Sequence, residues 1–478
     1  MPALHKIHQD PSKIRDSIRE YVHQELSESL ALLTEHVSSI LADEIEASFA
    51  HHESELEKRV HDLGREALKL ILSRYDISSQ QISDGDEVYR KVLCSDKMYQ
   101  TSFGPVSLTR HLYKRRGRGG KSICPLELQS GIIESAWTPN AAKQAMWLLS
   151  HMTPQEAEDT LAQFSGMKPS KSSLDRLPKR LGERWEPSSS SFYEKLMTQE
   201  KIPDDAVLCA TSLDGVMVAM KGDKTLEKTD DHAVCHWREG SCGTISFFDK
   251  QGERLSTIQY GSMPEHKKLT LKQLLRHNVE WIRQSRPDLS HLYIADGALD
   301  NWTFFDEEMP LATQLTDYFH ACEYLKKAFD AGYKNSSDKA QAKYHEYKII
   351  LRDEKGGIQK VRRCLRHLKQ KCPENEAIDK SCIYFKNNEH RMRYAEEKEK
   401  FSPIGSGIVE ACCKSLVQHR MKRSGMSWRR QGGQSILTFR ALIKSYRFDN
   451  AWDLLAKTYR KQFKAINNVV QLAEQKLN

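Results

Sequence analysis

No stretch of this sequence approaches the roughly 20 apolar residues needed to cross a bilayer. The opening residues, MPALHKIHQDPSKIRD, carry no apolar core of the kind found in secretory leaders. Both absences lead to the expectation of a cytoplasmic protein. There are 11 cysteines, an odd number, at irregular spacings and without a Cys-x-x-Cys pair. Disulfide frameworks and zinc ribbons depend on regular spacing, so reduced and mostly buried thiols are expected. Cys412 and Cys413 are adjacent, a poor arrangement for one zinc ion. Charge, by contrast, is plentiful: 29% of residues are charged and 39% hydrophobic, a mixture that suits a globular chain with a highly charged surface. At 478 residues the chain is too long for a single core. About three units of roughly 100–200 residues are expected.

The net charge of +8 is unevenly spread. RHLYKRRGRGGK, Arg110 to Lys121, holds six Lys/Arg and no acid, and KSLVQHRMKRSGMSWRR, Lys414 to Arg430, holds six more, again with no acid. Such runs displace the counterions of a polyanion and favour nucleic acid. The plainer alternative for each is a solvated surface. The residues singled out for DNA contact are Arg115, Arg116, Arg118 and Lys121 in the first run, and Lys414, Arg420, Lys422, Arg423, Arg429 and Arg430 in the second.

Helical periodicity runs through 12–75, marking 1–80 as a helical arm, bent or paired, suited to dimerisation. SSQQISDGD, Ser78 to Asp86, has the composition of a linker. The Val-, Tyr- and Thr-rich stretch that follows predicts a β-hairpin with a basic loop over 81–125. The region 126–190 reads as helical, and is either a helix-turn-helix or a generic helical hairpin. Its clearest signal is Thr153-Pro154 with Glu156, a capping box with Pro at the first helical position. Ser172 or Ser173 is expected to cap the next helix, Pro178 to kink or interrupt it, and WEPSSSSF to form a loop.

Between 200 and 330 the pattern is three strands, a helix, a strand, a helix, a strand and a helix. VLCATSLDGVMVAM carries Asp214 in the first strand, HLYIAD ends the fourth at Asp296, and LTDYF reads as the fifth, followed by the helix HACEYLKKAF. A charged helical insertion over 331–400 precedes 401–445, where SPIGSGIVEACCKSL places Glu410 on a late helix. A helical tail is expected over 446–478. The order is that of an RNase H-like core, a mixed five-stranded sheet with flanking helices. The whole is therefore an α+β multidomain chain whose core is interrupted by an all-helical insertion and preceded by helical and hairpin regions. In that topology the first and fourth strands are neighbours, so Asp214 and Asp296 should meet, with Glu410 as a third carboxylate. An acid flanked by apolar residues is costly unless it is used. Carboxylates of this kind hold Mg²⁺, and two such ions about 4 Å apart serve phosphodiester chemistry. Mn²⁺ is the expected substitute. Glu410 and Lys414, four residues apart, would share a helix face, one on metal and one on phosphate; the alternative is an ordinary i, i+4 ion pair.

The stretches TSLDGVMV, YIADGALDNW, LTDYFHACEYL and SPIGSGIVEACCKSLVQHRMKRSGMSWRRQGGQSILTFRALI resemble DDE transposases of bacterial insertion sequences, of the Kra and Lre types related to Mutator-like elements. The resemblance spans roughly 87–450. It implies a metal-binding triad of Asp214, Asp296 and Glu410, a Cys/Asp-x-x-His signature in Asp317 and His320, and a terminal basic block that includes Arg420 and Trp428. It also implies two Mg²⁺ ions, binding of terminal inverted repeats and target DNA, and a homodimer or larger assembly on DNA in the prokaryotic cytoplasm, at the nucleoid. The run ALDNW after the second Asp-Gly departs from the aromatic-rich pattern of many relatives, so Trp302 receives no base-contacting role. The competing classes are a non-catalytic, domesticated DNA-binding regulator and a structure-selective nuclease on the same fold. Asp317 has its own competing reading, as a cap for the helix behind it.

Overall fold

Alternating apolar residues produce nine strands among the described residues of the computed structural model, which are 11–42, 48–115, 120–221, 235–334 and 337–466. They are β1 (Gln81–Asp84), β2 (Glu87–Thr101), β3 (Gly104–Arg115), β4 (Leu208–Lys221), β5 (Cys235–Phe248), β6 (Arg254–Ser262), β7 (Ser290–Ala295), β8 (Thr313–Thr316) and β9 (Lys464–Ile466). No helix among the described residues is long and apolar enough to cross a membrane. The chain divides into two compact units, Met1–Arg180 with Trp452–Asn478, and Leu181–Ala451.

In the first unit the arm is a pair of helices, Pro11–Ala42 and Phe49–Ser73, packed on one another. Its sheet is antiparallel, in the order β3-β2-β1-β9. Ser78 to Asp86 is thus not a linker. Gly85-Asp86 makes a two-residue hairpin loop with Gly85 at φ 57°, a conformation glycine adopts without steric cost, and Ile82 is buried against Tyr89 and Tyr113. The polar composition concealed a Gly-Asp hairpin loop. The tail expected to be helical over 446–478 is helical at Phe448–Lys457, but Lys464–Ile466 then adds β9 to this sheet, with Phe463 seated in the same cluster, and 467–478 lie outside the described residues. The capping box of the helix Pro154–Phe164 is complete: Thr153 Oγ1 accepts from Glu156 N, and Glu156 accepts from Thr153 N. The next helix, Lys171–Trp185, is capped by Ser170, whose Oγ accepts from Ser173 N, rather than by Ser172 or Ser173. Pro178 lies within it and does not interrupt it.

In the second unit, WEPSSSSF is helical rather than a loop. The helix Ser189–Gln199 forms despite its serines because Phe192 and Tyr193 pack on Trp185, with ring centroids 4.8 and 5.8 Å apart. The sheet has the order β6-β5-β4-β7-β8. β4, β5 and β6 pair antiparallel, whereas β4 with β7 and β7 with β8 pair parallel. The first and fourth strands of this unit therefore lie side by side.

Helices from two parts of the chain cover one face of this sheet. Leu208 and Ala210 of β4, Leu292 and Ile294 of β7 and Leu315 of β8 pack against the helix Tyr318–Gly332 and against residues from 351–394. Farther along β4, Val216, Val218 and Met220 pack against Val409, Cys412, Leu416 and Leu437. All the β4 residues named are even-numbered, so they share one face. Asp214 belongs to that same alternation and falls where the two apolar clusters meet. Each fully buried aliphatic side chain of this layer contributes about 1.5–3 kcal/mol.

Candidate active site

The register of the parallel strands sets out the acids. Ser212 is level with Ile294, and Ile294 with Leu315. Two residues farther along each strand, on the same face, come Asp214, Asp296 and Asp317. A parallel sheet keeps register partners pointing the same way, so these acids form one row across neighbouring strands, Asp214 midway along β4 and Asp296 and Asp317 just past the C-terminal ends of β7 and β8. Asp296 sits in the turn after β7, where Gly297 is required. A Cβ there would come within 2.3 Å of the buried Tyr384 ring.

Asp214 is partly buried. Its Oδ1 accepts from Gly215 N at 2.7 Å, and its Oδ2 lies 3.7 Å from the Cys413 thiol. Burial raises its pKa above the ordinary carboxylate value. The bond from Gly215 opposes this, and the nearby charge of Asp296 reinforces it. The electrostatic coupling with Asp296 follows from their adjacency across β4 and β7. Asp296 Oδ1 accepts from Ala298 N at 3.1 Å and from Asn301 Nδ2 at 2.9 Å, which fixes its rotamer.

Asp317 is fully buried and performs the capping role. The helix begins at Tyr318, two residues before the expected start, with Asp317 as its N-cap and Oδ1 accepting from His320 N at 2.7 Å. Its other oxygen accepts from Ser406 N. Burial raises the Asp317 pKa, but the bonds from His320 and Ser406 outweigh it and hold the group below the ordinary value, as a carboxylate. His320 Nδ1 stands 3.6 Å from Asp317 Oδ1, a distance for ion pairing rather than hydrogen bonding. The Asp317 carboxylate raises the His320 pKa to about 9 against the lowering effect of burial, with Asp296 adding to the rise.

Glu410 lies in the first turn of the helix Gly407–Cys412 and is partly buried. Among the described residues, one group of potential metal ligands lies with its donor atoms within 4.8 Å of one another: Asp317, His320 and Glu410. Asp214 and Asp296 are outside that group but act electrostatically on His320 and on each other. His320 thus interacts with Asp214, Asp296 and Asp317 and stands beside Glu410. Both oxygens of Asp317 are committed to backbone N–H groups, which suits it to holding the helices rather than to holding a metal.

The backbone from Cys413 to Gln418 winds as a π-helix, and the shared face expected for Glu410 and Lys414 presumed ordinary α-helical spacing. Lys414 is exposed. Cys413 faces Asp214, and its thiol is held in the protonated form by its hydrogen bond with Cys242, by burial and by Asp214. Sequence reasoning gave Cys413 no part in the site, since a buried thiol leaves no periodic signal. All ten cysteines with described side chains are free thiols.

The basic residues divide into several settings. Arg116 and Arg118 lie outside the described residues. Arg110 turns inward to Glu127, Arg115 pairs with Glu87 at 2.9 Å, and Lys121 is exposed. Lys414, Lys422, Arg423, Arg429 and Arg430 are exposed, with Lys422 Nζ 5.3 Å from the Trp237 ring centre and Arg430 3.9 Å from Glu265. Arg420 is only 2% exposed and packs 5.2 Å from the Trp428 ring, so it supports this segment from within instead of presenting its charge. Trp428 itself packs. Its indole donates to Met421 O, and its backbone pairs with β4 through Trp428 N to Ala219 O and Lys221 N to Trp428 O. Trp302 is buried.

No family model matches the chain, and no curated protein matches it. Among solved structures, the Drosophila P element transposase strand transfer complex aligns at 10% identity over 72% of this chain and 87% of that one, with a TM-score of 0.27. A Mos1 transposase paired-end complex with the left transposon end aligns at 12% identity over 60% and 80%, with a TM-score of 0.14. A pre-cleavage Mos1 transpososome aligns at 8% identity over 93% and 99%, with a TM-score of 0.13. Scores of this size do not establish a shared fold, and the architecture rests on the strand order described above.

Proposed function

We propose that the second unit is an RNase H-like core carrying Asp214, Asp296 and Glu410 as its catalytic acids, and that the protein is a metal-dependent DNA transposase of an insertion sequence. The observation that carries this reading is the parallel pairing of β4 with β7, which sets Asp214 beside Asp296 at the junction of two helical layers. The exposed cations Lys414, Lys422, Arg423, Arg429 and Arg430 follow Glu410 in the chain and supply the complement to a phosphate backbone. Sequence resemblance to insertion-sequence transposases supports the same reading, including the terminal repeats as partner and a homo-oligomer on DNA.

The donor set fits a hard divalent cation such as Mg²⁺. It offers carboxylate oxygens, and burial together with mutual repulsion raises the pKa of Asp214, a strain that a bound cation would relieve. Asp214, Asp296 and Glu410 would hold the metal. Such an ion would supply activation of an attacking oxygen and stabilisation of a leaving one. The chain's own residues supply position. Gly215 N and Cys413 fix Asp214, Asn301 fixes Asp296, and Asp317 ties the start of one helix to the backbone leading into the other.

The DNA flanking the coding region should contain inverted repeats, and duplexes carrying them should be nicked and joined to target DNA in Mg²⁺. Asp214→Asn should lower the rate roughly 10²–10³-fold, the scale of losing one electrostatic stabiliser. Equal rates in the two proteins would overturn the assignment. Cleavage without joined products would point to the nuclease, and binding without cleavage to the regulator.

A further inference from the structure

Two consecutive lysines just ahead of the helix Leu269–Ser285 occupy the left-handed backbone region, Lys267 at φ 49° and Lys268 at φ 56°. Residues other than glycine are uncommon there, and such strain gathers where a side chain must be aimed. Lys267 is exposed. The Lys268 side chain is only 17% exposed, and its Nζ reaches Glu239 Oε1 at 2.9 Å and Asn301 Oδ1 at 3.4 Å. Glu239 is half exposed, and an ion pair so placed contributes little by itself. Asn301 is 2% exposed, and its Nδ2 donates to Asp296 Oδ1 at 2.9 Å. One buried amide is therefore held at both ends, by a cation on one side and a carboxylate on the other. Such an amide has two orientations of the same shape. An ammonium can only donate, so Lys268 selects the orientation with Oδ1 toward itself, and Nδ2 is left for Asp296. In the flipped orientation a carbonyl oxygen would face the carboxylate and repel it.

We propose that Lys268 is a positioning residue, which acts through Asn301 to hold the Asp296 carboxylate ready for a cation; the inference rests on the metal-binding reading of these acids given above. Glu239 completes the arrangement. It neutralises Lys268, so the lysine orients the amide without setting an unpaired positive charge beside a cation site. Glu239 also lies over Gly215, where a Cβ would come within 2.2 Å of its Oε1, and Gly215 N is the donor to Asp214 Oδ1. One network thus runs from the support of Asp214 to the support of Asp296. Groups that orient a metal's ligands in this way govern its affinity without touching it.

Mn²⁺ affinity, measured by electron paramagnetic resonance, separates this role from plain electrostatics, because the two have opposite signs. Removing a positive charge near a cation site should tighten binding. Removing a positioning residue should weaken it, and Lys268→Met should bind Mn²⁺ about tenfold more weakly than wild type. In an Asn301→Ala background the same substitution should cause no further weakening, because the amide through which Lys268 acts is gone. Circular dichroism verifies the fold of each variant, and Lys268→Ala, with the same expected result, replaces the methionine variant if that one does not fold. Binding by the lysine variant as tight as wild type, or tighter, overturns the inference, as does equal weakening in both backgrounds. If wild type binds no Mn²⁺, or binds it no better than Asp296→Asn, the metal reading of the acids falls, and this inference with it.

Discussion

Asp214 and Asp296 stand on or just beyond neighbouring strands, whereas Asp317, His320 and Glu410 stand at the first turns of two helices. The strand-borne pair is aligned by a hydrogen-bonded register that any sheet of this order imposes. The helix-borne group depends on one side chain, because Asp317 caps its own helix and also accepts from Ser406, in the loop leading to Glu410. The difference suggests that the first pair can lose its charge with little harm to the fold, whereas the second group holds the fold and the site together.

The comparison is most exposed to Asp317→Ala. Loss of the cap and of the bond from Ser406 leaves two N–H groups without partners, at an expected cost of about 2–3 kcal/mol. Urea midpoints should fall accordingly, while Asp296→Asn should leave them nearly unchanged. If the two variants are equally stable, the contrast collapses.

A smaller effect is expected from pH. The folded pKa of His320, about 9, lies above its ordinary 6.5, so its pairing with Asp317 stabilises fully below about pH 6.5 and fades as pH rises through 9. In chelator, His320→Gln should be less stable than wild type below pH 6.5, and the gap should close above pH 9. Asp214, Asp296, Glu323 and Glu410 all surround the imidazole, so a gap that stays constant across this range would show that its charge does no stabilising work there.

The smallest effect tests whether the strand-borne pair is as independent as it looks. Cys413 reaches Asp214 from the Glu410 helix. Cys413→Ala should weaken Mn²⁺ binding, measured by electron paramagnetic resonance, about fivefold, the scale of one net hydrogen bond. Cys413→Ser should restore it, because the hydroxyl donates where the thiol did. Identical Mn²⁺ affinity in all three proteins would leave the strands as the sole support of Asp214.

The sequence made the strand order legible because alternation is a strong signal, and Asp214 and Asp296 followed from it. The same strand order places Asp317 near Asp296, because the fifth strand neighbours the fourth. Asp317 follows Leu315 on the same face as Asp296 follows Ile294, but an acid just ahead of a helix also looks like a cap, and here it is one. Glu410 lies on a late helix as expected, but the π-helical winding that begins three residues later has no compositional mark. Arg420 was placed among the surface cations by its neighbours in the chain. Only packing shows that its charge is turned in toward Trp428. The strand at Ser83 and the helix at Ser189 went unread for one reason: polar side chains face water while tertiary partners hold the backbone.

The bond from Tyr318 N to Ile404 O, at 3.1 Å, joins the two ends of everything between the fifth strand and the Glu410 helix. A stretch whose ends are already tied can grow or shrink at its outer turns for a small loop-closure cost, about 0.6 kcal/mol per doubling of length. Its inner wall has no such freedom, because Phe329, Phe385 and Tyr394 roof the sheet. Variation in length should therefore gather in an exposed turn such as 373–375, whereas the turn 354–356 is tied to the stretch before Ile404 by the Lys355–Glu399 ion pair and keeps its spacing with the base.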